Sequence, residues 1–359
     1  MSQWRISADT LAETRFTVSP LAETTACLFA LAREAATHPG ERAWLRDHLP
    51  AYRRRLAADP VTARLVPAAT GDATRWIADF LTPAPSGEGE RSFADEVAEV
   101  RAAPAESARA DLTVSHGGPL PAELRERSDL PDRAADLLEW VWETAVLPDW
   151  PRRRRIIEAD VLARTAQLGQ GGWVAALAGM RPGMRWLGES TLQVNTHVYP
   201  PRDVTGARLL FVPVTPTQGW VSWRTSDSAD ATDTSDATDT ADVADTSDQS
   251  ARVLDQYAVI YPCSGALADV DRTVAPKALA RLLGPGRAAV LMLLATPKST
   301  TQLVALTGQA LGSVGRHLRV LLDAGLAGRR RAGRSVLYFR TGAGEVLVKA
   351  QSEGAGARS

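Results

Sequence analysis

Apolar positions recur at three- and four-residue spacing through most of the first 180 residues. They switch to alternation from Trp186 and return to helical spacing late in the chain. Ser19 can cap a helix that opens on Pro20 and continues as LAETTACLFALAREAA, with Leu21, Cys27, Leu28 and Leu31 sharing a face. His38-Pro39-Gly40 ends it. Residues 41–85 predict further short helices, with Trp44, Leu45, Trp76, Ile77, Phe80 and Leu81 as core candidates. Pro83 to Gly89 predicts a loop, and residues 113–121 a second break. Phe93 to Ala102 and Ala105 to Leu112 predict polar helices. Asp129 to Val146 predicts a helix with Leu137, Leu138, Val141 and Trp142 inward. Pro148-Asp149-Trp150-Pro151 then introduces a long helix, RRRRIIEADVLARTAQLGQ, which Gly171-Gly172 ends. Trp173 to Leu177 resumes it.

From Trp186 the period is two. Leu192 to Val198, Leu209 to Val214, Trp220 to Arg224 and Tyr257 to Cys263 predict a small antiparallel β-meander separated by Pro and Gly turns. The expected class is α+β: a mainly helical N-terminal domain over residues 1–268 carrying this meander, then a distinct C-terminal unit over residues 275–350. Within the meander, residues 225–249 carry Asp at every third position from Asp227 to Asp248, with only small or β-branched residues between. Such a stretch holds too little apolar surface to bury and predicts a disordered acidic insert. Its spacing matches no calcium loop, and the glycines those loops need are missing. An intramolecular mimic of a polyanion is a second reading of it.

The C-terminal unit predicts helix, turn, helix and a tight hairpin. Ser299 is a suitable N-cap, with Gln302 three residues on as in a capping box. Leu303 and Leu306 share a face, and Gly308 stops the helix. Leu311, Val314, Leu318 and Leu321 make one apolar stripe on the next helix, which Gly325 closes. Leu326 to Arg331 and Arg334 to Arg340 then predict two strands about Ala332-Gly333. This is a winged helix-turn-helix pattern.

Charge sharpens the picture. The chain of 359 residues has a formal charge of −1, but residues 275–350 hold twelve Lys/Arg against Asp323 and Glu345. That unit is +10 and the rest of the chain −11. Arg329, Arg330, Arg331 and Arg334 crowd one hairpin, where mutual repulsion is relieved by a polyanion. Gln309, Ser313, Arg316, His317 and Arg319 on the second helix, with Ser335 on the hairpin, complete the candidate contacts to double-stranded DNA. The competing reading is a solvated hairpin on a winged helix used for protein–protein assembly, beneath a small-molecule-binding or enzymatic body.

RHLRVLLDAGL followed by RRRAGRSVLYFRT resembles the C-terminal domain of the arsenical-resistance-repressor (ArsR-type) bacterial transcription regulators, over residues 275–350. The resemblance implies that the helix matching Ala310 to Ala324 reads the major groove and that the hairpin matching Leu326 to Arg340 is the wing. It implies a homodimer formed through helices matching Pro276 to Leu283 and Gly344 to Ala350, where Leu279, Leu282, Leu283, Val346 and Leu347 offer apolar strips. It also implies regulation, with an unknown small-molecule effector as a conceivable partner. The chain departs from the family in having Ala310, Leu311, Gly312 and Gly315 where members carry small polar residues. TTQLVALT stands where several such sensors carry Cys-x-Cys, so no thiolate metal site is expected. The body, with LAETRFTVSPLAET and LPDWPRRRRIIEADVLARTAQLGQGGW, is similar to the uncharacterised body fused to such winged helices in actinobacterial regulators.

The remaining chemistry is sparse. Five scattered histidines, and no phosphate loop, nucleophile elbow or carboxylate pair, predict no enzyme, no cofactor and no metal. Cys27 reads as a small buried hydrophobe. Arg152 to Arg155 reads as a solvated face or as partners for body acids rather than a nucleic-acid patch. Seven tryptophans between Trp140 and Trp223 read as core between helices and strands, or as the lining of an apolar pocket. The N-terminus lacks the apolar run of a signal peptide, no segment is long enough to span a membrane, and a cytoplasmic protein is expected.

Overall fold

The chain opens on a strand, β1 (Ser2–Arg5), followed by α1 (Ala8–Glu13) and β2 (Arg15–Phe16). The computed structural model describes all residues except 1, 37–38, 72–73, 75, 87–88, 196–200, 225–254, 264–276, 296, 308, 333–334 and 357–359. The expected acidic insert, residues 225–249, lies outside the described residues.

The body is built on α2 (Pro20–Arg33). The Ser19 hydroxyl accepts from Ala22 N–H at 2.9 Å and so caps it. Every residue from Pro20 to Leu31 is buried, Glu23, Thr24 and Thr25 included. A helix covered all round belongs at a centre. Around it pack α3 (Pro39–Ala57), α4 (Pro60–Thr70) and α5 (Phe93–Arg101), with α6 (Ala105–His116) and α7 (Ala122–Arg125) outside α4, and α8 (Leu130–Val141) closing the layer. The helices that read as polar, α5 and α6, bury Phe93, Val97, Val100, Ala108 and Leu112. The helix expected to reach Val146 is α-helical only to Val141. Residues Trp142–Val146 widen to a π-turn, and Leu147–Asp149 tighten to a 3-10 turn. Then comes α9 (Trp150–Leu177), broken by non-helical Gly171 and by Gly172 at φ +65°.

The antiparallel meander is corrected to two mixed four-stranded sheets. The first has the order β3 (Arg185–Gly188), β4 (Thr191–Asn195), β1, β5 (Arg202–Asp203), and β1 runs parallel to β5. The second has the order β2, β6 (Arg208–Val214), β8 (Gln256–Pro262), β7 (Val221–Arg224). In it β2–β6 and β6–β8 are parallel, and β7–β8 is antiparallel. The physical reason is double coverage. Leu210, Val212, Val214, Ala258 and Ile260 face the helical core, while Leu209, Phe211, Tyr257, Val259 and Tyr261 face a second core with Trp4, Ile6 and Leu192. Strands buried on both faces are characteristic of parallel pairing. The tryptophans divide between the two cores. Trp140, Trp142, Trp150 and Trp220 join the first, and Trp173, Trp186 and Trp223 the second.

The C-terminal unit comprises α10 (Lys277–Leu283), α11 (Pro285–Leu293), β9 (Lys298–Ser299), α12 (Thr300–Thr307), α13 (Leu311–Asp323), β10 (Ala327–Ala332), β11 (Ser335–Arg340) and α14 (Gly342–Gly356). It has its own core, with Leu279, Leu291, Leu303, Val314, Leu318, Leu321 and Val348 among its buried members. The Ser299–Gln302 capping box forms, with Gln302 N–H donating to Ser299 Oγ at 3.2 Å and Ser299 N–H to Gln302 Oε1 at 2.8 Å.

Among the described residues, no helix is long and apolar enough to cross a membrane.

Candidate nucleic-acid interface

Helix α13 turns three of its four stripe residues inward: Val314, Leu318 and Leu321 are buried. Leu311, expected in that stripe, is 62% exposed. It is the first residue of the helix, so it stands beyond the end of the core. Gly315, one turn on, has no side chain to lie back over it. The outward face carries Gly312, Gly315, Arg316 and Arg319. A Cβ at either glycine would meet nothing within 4 Å, so this face is bare backbone flanked by two guanidiniums. Ala310, at the N-cap, offers no side-chain acceptor, and the first turn holds no acidic residue. The positive end of the helix is therefore uncapped by side chains.

The hairpin lies beside this face. Arg329, Arg330 and Arg331 pair in register with Tyr338, Leu337 and Val336. Alternation puts Arg329 and Arg331 on one face and Arg330 on the other. Arg329 and Tyr338 line an open cleft with Gly312, Gly315, Arg316 and Arg319. Among the described residues, Arg316, Arg319, Arg329, Arg330 and Arg331 have no carboxylate within ion-pair distance, whereas Arg340 has Glu345 at 2.8 Å. Arg340 also donates to the carbonyls of Leu291 and Met292, so it braces the hairpin base.

The other sequence candidates fall in different settings. His317 is half-buried against α11, where a Cβ on Gly286 would come within 2.6 Å of its Nε2. Burial first, then Arg287 and Arg316, lower its pKa. Ser313 is half-buried in the first turn. Gln309 is half-buried, and its Oε1 is shielded without a hydrogen-bond partner. Arg334 lies outside the described residues, and Ser335 is described in its backbone alone, opposite Ala332. Sequence reasoning missed Leu311 because periodicity does not say where a core ends. The signal was there: it is the first residue of the helix and precedes a glycine.

The run Arg152 to Arg155 is elsewhere, in α9. Arg153 is fully buried and paired with an acid of the body, so for this residue the pairing reading holds and the solvated-face reading does not. It donates to Glu23 at 2.6 Å and Thr215 Oγ1 at 2.8 Å, and lies over the Trp44 ring. Cys27 is buried in that cluster, and burial pushes its thiol up to about 12. Among the described residues, no group of three or more His, Cys, Asp or Glu could hold a metal ion.

Residues 284–328 match the family model for the bacterial regulatory proteins of the arsR family, a helix-turn-helix domain. The match spans α11 to the start of β10 and leaves the body, most of the hairpin and α14 outside it. No curated protein and no solved structure matches the chain.

Proposed function

We infer that this chain is a DNA-binding transcription regulator, without catalytic activity, that grips duplex DNA between α13 and the β10–β11 hairpin. One observation carries the reading. Among the described residues, five arginines without carboxylate partners lie on α13 and on the hairpin beside it, and α13 is inside the matched arsR-type domain. Elsewhere in the chain acids are set against cations, as with Glu23 on Arg153 and Asp129 on Arg127 and Arg133. The bare face of α13 suits close approach to the major groove, and its dipole favours phosphate there. Arg316 is the residue for a guanine edge. Leu311 is the apolar contact for a thymine methyl. The hairpin is the wing, whose arginines take phosphate or minor-groove contacts.

The assembled form is a homodimer. Leu282 on α10 and Val346 on α14 are 64% and 68% exposed, on two helices that pack on each other, and these exposed apolar side chains are the candidates for burial against a second copy. The body is the regulatory part, acting in the cytoplasm through an effector still to be identified. Selection of genomic fragments with purified full-length protein tests the reading. It should enrich inverted half-sites about one helical turn apart. Retention of no duplex at low salt would overturn it.

A further inference from the structure

Among the described residues of the body, two arginines are buried, and both are matched. Arg153 donates to Glu23 at 2.6 Å. Arg164 donates to the carbonyls of Ala176 and Ala178 at 2.7 and 3.0 Å and lies 3.6 Å from Asp160. Arg181, between α9 and β3, is set differently. It is half-buried, and its Nη1 is shielded from solvent without a hydrogen-bond partner. Its Nη2 donates a long bond to the Gly219 carbonyl at 3.4 Å. Among the described residues, no carboxylate lies within ion-pair distance of it. Burial lowers its pKa to about 10 and no neighbouring charge raises it, so it stays a cation near neutral pH. A shielded guanidinium left in that state costs stability, and an oxyanion removes the cost.

The place of Arg181 in the fold suits a ligand. Gly219 lies against the end of β8, where a Cβ on it would come within 2.7 Å of the Ile260 carbonyl and 3.4 Å of Pro262. Strands β6 and β8 run parallel and end together, with Val214 opposite Pro262. The crevice outside the carboxyl ends of parallel strands is where open α/β sheets bind ligands. Residues 215–219 leave β6 at this rim, and side chains from three helices hold them. Arg153 of α9 donates to Thr215 Oγ1 at 2.8 Å, Arg33 of α2 donates to Gln218 Oε1, and Glu41 of α3 accepts from Thr217 Oγ1 at 2.9 Å.

We propose that Arg181 binds a small-molecule effector through an oxyanion, a carboxylate or a phosphate, at the rim where β6 and β8 end. Its planar fork suits two oxygens of such a group. Occupancy reaches the C-terminal unit by a short path. Strand β8 runs on to Cys263, which with Ile156 and Ile157 of α9 lies against Leu306 of α12, and α9 packs along α12. An oxyanion that draws Arg181 from the Gly219 carbonyl releases the loop resting on this strand end, and the seam behind it responds. The binding site stands on the body alone, while its effector role rests on the DNA-binding reading.

The test uses full-length wild type, Arg181→Met and Arg181→Lys, melted without DNA in sodium phosphate, sodium succinate or sodium chloride at matched ionic strength. The wild type should melt about 2 °C or more higher in phosphate or succinate than in chloride. Arg181→Met should lose most of that difference. Arg181→Lys keeps the charge and loses the fork, so its difference should be smaller than that of the wild type, and it keeps the test readable if Arg181→Met does not fold. The anion that raises the transition more assigns the group as phosphate or carboxylate. No oxyanion-specific rise in the wild type, or an equal rise in the variants, as from anions settling on the hairpin arginines, would overturn the proposal. The favoured anion should also change the wild-type affinity for a selected duplex about fivefold or more relative to chloride, and leave that of a folded Arg181 variant nearly unchanged. Equal changes in both would remove the effector role. If the wild type binds no duplex, the DNA reading fails, and the melting difference still reports the site.

Discussion

Arg153 and Arg330 both sit in runs of like charge, and their settings differ because of what lies opposite. Arg153 meets Glu23 at 2.6 Å, 130 residues away in sequence, and is buried. Arg330 meets Leu337 across a ladder and is exposed. Local sequence shows a charge run but not its counter-charge, so the hairpin arginines were legible from the unit's +10 excess while the burial of Arg153 was not. Leu311 repeats the lesson, since a stripe gives a face but not where the core along it stops. At this scale the reading makes a graded prediction. Arg316→Ala should cost about 1–3 kcal/mol on a specific duplex and much less on random duplex, measured by anisotropy titration. Equal losses on both would make Arg316 a phosphate contact. Leu318→Ala, by contrast, empties a buried position in the C-terminal core and should cost about 2–5 kcal/mol of stability, read in a denaturant titration.

Among elements, helices were the more legible. Ser19, Ser299 and Gly171-Gly172 announce starts and breaks by local chemistry, and the structure has them where the sequence does. Strand pairing was not legible, because alternation fixes a face and leaves the partner and direction open. The β6 and β8 strands are near-continuous apolar runs covered on both sides, and they pair in parallel. Helix α2 also joins α5 by a polar contact with a pH signature. The buried Glu96 carboxylate accepts from Leu21 N–H at 2.8 Å and from the Ser19 hydroxyl at 3.0 Å. Burial outweighs those bonds and raises its pKa from 4.5 to about 7. The folded state therefore holds this proton more tightly than the unfolded chain does. The resulting stabilisation is complete below about pH 4.5 and is lost as pH rises through about 7. Glu96→Gln keeps an acceptor and removes the titration, so its melting temperature should fall less than that of the wild type between those pH values. Asp79, also raised to about 7, leaves some slope in both proteins. Parallel curves would show that Glu96 does not titrate in this window.

At the scale of the whole molecule, an acidic body and a basic reader were legible from charge alone, as was the helix-turn-helix pattern that the family match at 284–328 supports. The seam between them was not, because Ile156, Cys263 and Leu306 are three apolar residues far apart in sequence until the fold brings them together. The exposed Leu282 and Val346 bear on assembly. Leu282→Asp should convert a dimer to a monomer in light scattering at micromolar concentration, with the body's melting transition unchanged. A wild-type monomer would remove the dimer from the account. The central claim is that the arginines of the hairpin and α13 face DNA phosphates, and salt dependence reads it most directly. Titrating wild type and Arg329→Ala/Arg331→Ala with one duplex across a range of salt gives two slopes of log K against log salt. The account predicts steep salt dependence for the wild type and a slope about two units shallower for the variant. Equal slopes would mean that the hairpin does not touch DNA, and would contradict the account.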